Sequence, residues 1–235
     1  MKAVRNAFGE YFTLAATNRQ QLDALPSELR EQYLKFRSMT FYQIGFSDSF
    51  VISVPLIEDE HGPGKAANSV WAALYGIAGV ALTAMGIGIP LRAGIDIERG
   101  TDLFPNEVYG PVLINAYRLE TTVAEYPRSV LGDGVLRYLS YLEGLPQTSP
   151  SHAYAARRRV DCRDLIRAAP DDGQPMLHIL APAILNLGLP LVEPAARAYD
   201  WVKKELAAHR ASGNGKLQRR STRLLRYFNA SGFND

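Results

Sequence analysis

The chain has 235 residues, 47% of them hydrophobic and 21% charged, with a formal net charge of +2. That length suffices for one large domain or two small ones with a proper core, and so small a net charge gives no argument for a polyanion partner. The single cysteine, Cys162, forms no intrachain disulfide and the four histidines (His61, His152, His178, His209) are scattered, which argues against a zinc site and for a reducing compartment, the cytoplasm.

Met1–Ala16 carries charges among its apolar residues, so no signal peptide is expected. Residues 6–39 have helical periodicity: Phe8, Tyr11, Phe12 and Leu14, then Leu22, Leu25, Leu29, Tyr33 and Phe36, recur at threes and fours, with Pro26 starting a second helix. The stretch IGFSDSFVISV at 44–54 alternates instead, with Ile44, Phe46, Phe50, Ile52 and Val54 at a period of two. This predicts a strand pair over roughly 40–47 and 49–56. Asp48 stands where that pattern calls for an apolar residue, and a carboxylate on the buried side of a strand must be paired, hydrogen-bonded or bound to a cation.

A polar turn over Glu58–Lys65 leads into AANSVWAALYGIAGVALTAMGIGIPL, residues 66–91, which holds no charged residue and is long enough to cross a membrane. Its wealth of Ala and Gly, its Asn68 and Ser69 and its alternating end GIGIPLRAGIDI instead predict a buried helix over 66–85 and a strand over 89–97, with no membrane span. Residues 98–109 read as a loop, Pro111–Ala124 as an amphipathic helix and Arg128–Leu131 as a short strand ending in GDG. The pattern predicts an α+β sandwich, with helices on one face of a mainly antiparallel sheet.

Beyond Gly144 come a loop (LPQTSPSH), a basic patch Arg157–Arg159, and a strand-like pair flanking APDDGQ. Two helices close the chain, Pro194–His209 and the basic Lys216–Phe228, separated by SGNG. Lys203–Arg226 holds eight Lys/Arg against the single Glu205; we read that run as a solvated helix face and expect no nucleic-acid partner. With no repeat or linker in evidence, residues 1–145 form the core and 146–235 a C-terminal extension packed on the same domain.

FSDS at 46–49, RAGIDI at 92–97, VYGPVLINAYRLE at 108–120 and YPR at 126–128 together resemble the class III nucleotidyl cyclases, and among them the stand-alone bacterial pyrimidine cyclases of Pycsar anti-phage systems. There the pattern runs FSDS, R-G-G-I, Y-G-P-A with A-Y-x-L-E, then Y-P-R. The likeness covers about residues 6–135, with a weaker echo in DDG at 171–173. It implies a ferredoxin-like βαββαβ core and cyclisation of a nucleoside triphosphate, in which the ribose 3′-oxygen attacks the α-phosphate and pyrophosphate leaves. Two Mg²⁺ or Mn²⁺ ions held by carboxylates assist such a reaction, and Asp48 matches one of the family's two metal aspartates. Arg118, eight residues after Gly110, matches the arginine that stabilises the transition state and acts across a homodimer interface.

Base recognition departs from the purine enzymes. The adenine-reading lysine is replaced by Ile44, and the asparagine four residues before the arginine by Ile114, with Asn115 one position off. Glu107, before the Y-G turn, can accept a hydrogen bond from a base, and Tyr42 shares a strand face with Ile44. The resemblance therefore implies UTP, or alternatively CTP, as substrate, and a cyclic pyrimidine nucleotide that signals to a separate effector in antiviral defence. One departure is larger: the chain opens MKAVRNAF, whereas the family's first strand and first metal aspartate precede this helix. They are expected upstream of Met1; otherwise the chain is a degenerate cyclase-like module that binds a nucleotide or dimerises without turnover.

Overall fold

The computed structural model describes residues 2–17, 30, 34–36, 40–45, 49–56, 62–104, 107–186 and 191–233. The uncharged run predicted as a buried helix is the axis of the fold, as α2 (Gly64–Gly86), and α1 (Lys2–Thr17) lies along it. Two glycines of α2 make the close packing possible. A Cβ at Gly76 would stand 2.8 Å from Phe8 Cε2, and one at Gly79 would stand 2.6 Å from Tyr11 Cγ; without them, the rings of α1 lie flat on the α2 backbone. Phe8 and Phe12 are buried there, and Tyr11 Oη meets Thr83 Oγ1 at 2.7 Å.

α2 ends in a Schellman motif: Ile89 N bonds to Ala84 O (2.8 Å) and Gly88 N to Met85 O (3.0 Å), with Gly88 at φ +81°. This cap takes up the start of the strand predicted over 89–97, and Pro90 has no N–H for a ladder, so the strand shortens to β3 (Ala93–Ile95). α2 is long and apolar enough to cross a membrane, yet 78% of its apolar window is buried by protein, chiefly α1 and two helices of the C-terminal half.

β1 (Tyr42–Gly45) and β2 (Phe50–Ser53) form the predicted antiparallel hairpin, a two-stranded sheet of its own among the described residues. Residues 98–109, read as a loop, contain a second hairpin, β4 (Thr101–Phe104) and β5 (Glu107–Tyr109). The predicted helix over 111–124 changes period partway: α3 (Pro111–Arg118) is α-helical and Leu119–Val123 is a π turn. Thr122 Oγ1 donates to Arg118 O (2.6 Å) and Thr121 Oγ1 to Tyr117 O (2.8 Å) at this junction, supplying partners to carbonyls where the backbone ladder shifts register.

The largest sheet is mainly antiparallel, as expected, with one parallel pairing. Its order is β3, β6 (Ser129–Leu131), β8 (Pro175–Leu177), β7 (Ile166–Ala168); β3 runs parallel to β6, and β8 runs antiparallel to both β6 and β7. The chain between β3 and β6 turns back through α3, which makes those two strands parallel. β7 and β8 are the pair predicted around APDDGQ, and β6 joins β8 across the boundary drawn at residue 145. The architecture is α+β, helix-rich with small sheets.

Two helices of the C-terminal half escaped the sequence reading. α4 (Asp133–Gly144) begins within GDG, with Gly132 as its N-cap, and α5 (Pro150–Asp164) begins inside the supposed loop, where Ser149 is the N-cap and Pro150 the first helical residue. The basic patch is spent within the fold: Arg158 is 1% exposed and bonds Asp161 (2.8 Å) and Tyr154 Oη, while Arg159 pairs with Glu143. After the short α6 (Pro182–Leu185), α7 (Val192–Ala211) and α8 (Gly215–Asn229) close the chain, and α7 packs on α2. One hydrophobic cluster, from Phe8 to Phe228, runs through both halves.

Candidate functional site

The hairpin at FSDS sets two of the proposed base-contacting residues. Tyr42 pairs with Ser53, Ile44 with Val51 and Gly45 with Phe50. Cross-strand partners share a face, so Tyr42, Ile44 and Val51 lie on one side, and Gln43 and Ile52 on the other with Phe41 and Phe50. The second side rests on the core: Phe41 meets the rings of Phe8 (5.3 Å) and Phe12 (4.9 Å), and Phe50 and Ile52 pack beside it. This corrects the reading of 44–54 as one continuous alternation. Four residues, 46–49, separate the strands, and Ile44 falls opposite odd-numbered Val51, so the period of two does not carry through the turn. Tyr42 and Ile44 do share a face, half-buried and turned away from the core. Asp48 lies outside the described residues, as does the Glu107 side chain, whose backbone opens β5 opposite Phe104.

Gly94 of RAGIDI governs the position of Arg118. A Cβ there would stand 2.0 Å from Ala116 O, 2.7 Å from Leu119 Cβ and 2.8 Å from Glu120 N, so α3 and the π turn sit directly on β3 only because residue 94 lacks a side chain. α3 starts at Gly110 with Pro111 as its first helical residue and buries none of its side chains. Ile114 is 60% exposed and Tyr117 67%, and Arg118, at the last α-helical position, is exposed too. The two acids nearest Arg118 in sequence are already taken. Arg92 Nη2 holds Glu120 Oε1 at 2.8 Å and Arg223 Nη1 holds Glu125 Oε2 at 2.7 Å, so the Arg118 guanidinium has no ion pair among the described residues.

YPR and DDG, 44 residues apart in the chain, meet. Arg128 donates Nη1 to Asp172 Oδ1 (3.1 Å) and Nη2 to both Asp172 Oδ2 (2.5 Å) and Val123 O (2.8 Å), and its guanidinium lies 4.6 Å from the centre of the Tyr126 ring. The side chain of Arg128 is buried, and its hydrogen bond holds the Asp172 carboxyl below the ordinary carboxylate range. Tyr126 Oη donates to Asp171 Oδ1 at 3.2 Å; burial, only partly offset by Arg128, raises that hydroxyl to about 12, so it stays protonated. The one carboxylate of RAGIDI, Asp96, accepts from Ile97 N (2.9 Å) and Gly134 N (3.0 Å), tying β3 to the start of α4. Sequence reasoning missed the Asp172–Arg128 pair as a unit, although the acidic doublet in a glycine-ended turn was its visible signal.

Comparison with protein-family models, with curated proteins and with solved structures finds no match. The weight therefore falls on the residues themselves. Among the described residues no three His, Cys, Asp or Glu side chains gather to hold a metal ion, and Asp48, the one metal ligand that the resemblance implies in this chain, is outside them. The structure brings Arg118, Gly94 and YPR to one edge of the four-stranded sheet, and sets Tyr42 and Ile44 on a different sheet.

Proposed function

We propose that the chain is a pyrimidine nucleotidyl cyclase of ferredoxin-like class III type, converting UTP, or alternatively CTP, to the 3′,5′-cyclic monophosphate and pyrophosphate. The observation that carries this reading is the state of Arg118: an exposed guanidinium at the end of α3, with both neighbouring acids occupied by other arginines. An always-charged planar fork left unpaired suits a phosphoryl group. The order of FSDS, RAGIDI, Y-G-P and YPR supports the same reading.

In this account a second copy of the chain covers the exposed Ile114 and Tyr117, bringing its Arg118 to the face of β1–β2 that carries Tyr42 and Ile44. The O3′–Pα bond forms as the bond from Pα to the pyrophosphate oxygen breaks, and the 3′-hydroxyl proton leaves to solvent. Arg118 holds the α-phosphate oxygens as charge builds on them. Tyr42 and Ile44 wall the base site, where their bulk favours a pyrimidine, and Glu107 accepts from the base. Two Mg²⁺ or Mn²⁺ ions, one bound by Asp48, would supply charge neutralisation for the leaving phosphates. The product acts on a separate effector, in the cytoplasm, as an antiviral signal.

The test is to incubate the protein with each of the four nucleoside triphosphates and Mn²⁺ and to identify the products by mass spectrometry. A cyclic pyrimidine nucleotide that disappears in Asp48→Ala and falls on the order of 10³-fold or more in Arg118→Ala supports the proposal. Nucleotide binding without any cyclic product would point to the degenerate module.

A further inference from the structure

We propose that the Asp171–Asp172 turn of the C-terminal half positions Arg118 by clamping, through Arg128 and Arg223, the segment in which the arginine-bearing helix ends. Its catalytic consequence rests on the cyclase reading; the clamp itself rests on geometry alone.

The segment after Arg118 is inherently weak. It is a single π turn of five residues, Leu119–Val123, continuing α3, with no buried side chain and two β-branched threonines, and a π turn is a weak link in such a helix. Three arginines hold the turn and the two residues that follow it. Arg92 of the β3 strand edge holds Glu120 and donates to Ala124 O (3.3 Å); Arg128 donates to Val123 O (2.8 Å); Arg223 of α8 holds Glu125 (2.7 Å). The last two arginines converge on one acidic doublet. Arg128 is bidentate on Asp172, and Arg223 Nε reaches Asp171 Oδ2 at 3.1 Å, the same carboxylate that Tyr126 Oη bonds through Oδ1.

The result is a continuous path from α8, through the β7–β8 turn, to the last carbonyls of the π turn. Arg118 is the N-terminal neighbour of that turn, and its guanidinium has no ion pair among the described residues, so its placement depends on the seat of α3 on β3 at Gly94 and on what holds residues 120–125. A bidentate arginine at a buried site fixes direction as well as distance, which two carboxylates held by backbone alone would not do. The C-terminal half thereby acts on the phosphate-binding arginine without touching substrate, and Asp172 and Arg223 are positioning residues.

Arg223 is partly exposed, so Arg223→Gln is the cleaner variant; Asp172→Ala also takes the bidentate partner from the buried Arg128, and Arg128→Met is avoided as the primary variant because its side chain is buried. In Asp172→Ala, and independently in Arg223→Gln, amide hydrogens of residues 120–124 should exchange at least about tenfold faster, while those of α2 and α4 keep their wild-type rates. In the same variants kcat for the cyclic product should fall at least about tenfold with KM for the nucleotide unchanged, and Asp172→Glu should recover part of the loss. Unchanged exchange at 120–124, or exchange that rises equally throughout the protein, overturns the clamp. If wild-type protein makes no cyclic nucleotide, the cyclase reading fails, and the exchange result still decides the clamp.

Discussion

Replacing Gly94 with alanine is the most direct perturbation of the joint between β3 and α3. The added Cβ would lie 2.0 Å from Ala116 O and 2.8 Å from Glu120 N, and such contacts are not seen below 3.0 Å, so α3 and the π turn must retreat from β3 by about 1 Å. Two of the three obstructing atoms are backbone, so no side-chain rotation relieves the clash. Overpacking of this kind costs about 1–3 kcal/mol, and the backbone obstruction puts Gly94→Ala near the upper end. In a protein of this size about 3 kcal/mol corresponds to a Tm lower by roughly 6–12 °C. Urea unfolding followed by circular dichroism, with the slope compared against wild type, gives the free energy. A loss below about 0.5 kcal/mol, the usual range for an inconsequential surface change, would refute the claim that α3 rests on β3 through residue 94.

Two further outcomes follow from buried polar groups. Asp161 holds Arg158 at 2.8 Å beneath α2, with the guanidinium 4.2 Å from the centre of the Trp71 ring; Asp161→Asn leaves a buried charge uncompensated and should cost about 3 kcal/mol in denaturant unfolding. Arg158→Met should cost less than half of that, because Asp161 keeps Arg157 at 3.2 Å, and equal losses would contradict this account. His178 is lowered from 6.5 to about 4 by burial, then by Arg167, and its neutral ring shares a hydrogen bond between Nδ1 and the Tyr227 hydroxyl (2.9 Å). The folded state therefore resists protonation: its contribution is present in full above pH 6.5 and is lost as pH falls toward 4. The full shift corresponds to about 3 kcal/mol, which partial solvent exposure reduces to about 1–2 kcal/mol. His178→Gln should flatten stability over that pH range in urea titrations, and an unaltered acid slope would show that the ring is not responsible.

Much of the fold was legible because strong composition signals have few alternatives. The uncharged run rich in alanine and glycine was expected as a buried helix over 66–85, and α2 covers it; APDDGQ between two strand-like stretches was expected as a turn, and it joins β7 to β8. The losses have physical causes as well. Ser149-Pro150 looked like loop punctuation, although the same pair is a good helix start, and α5 follows it. Alternation across FSDS suggested one strand face, but the intervening turn exchanges the faces. At the candidate site, Arg118 was singled out by motif position, and the structure places it exposed at the end of α3. The clamp was not legible, because Arg128 and Asp172 are 44 residues apart and become neighbours only when β6 pairs with β8.

The central claim is that one site is completed by two chains, Arg118 of one serving the Asp48 hairpin of the other. The most direct test is to co-express Asp48→Ala and Arg118→Ala chains with different tags, purify the mixed assembly through both, and assay it with UTP, CTP and Mn²⁺. Each variant alone should be inactive, whereas the mixed assembly should regain cyclic nucleotide synthesis, because it holds one site with both residues intact. A mixed assembly that forms and stays as inactive as either variant alone would contradict the shared site.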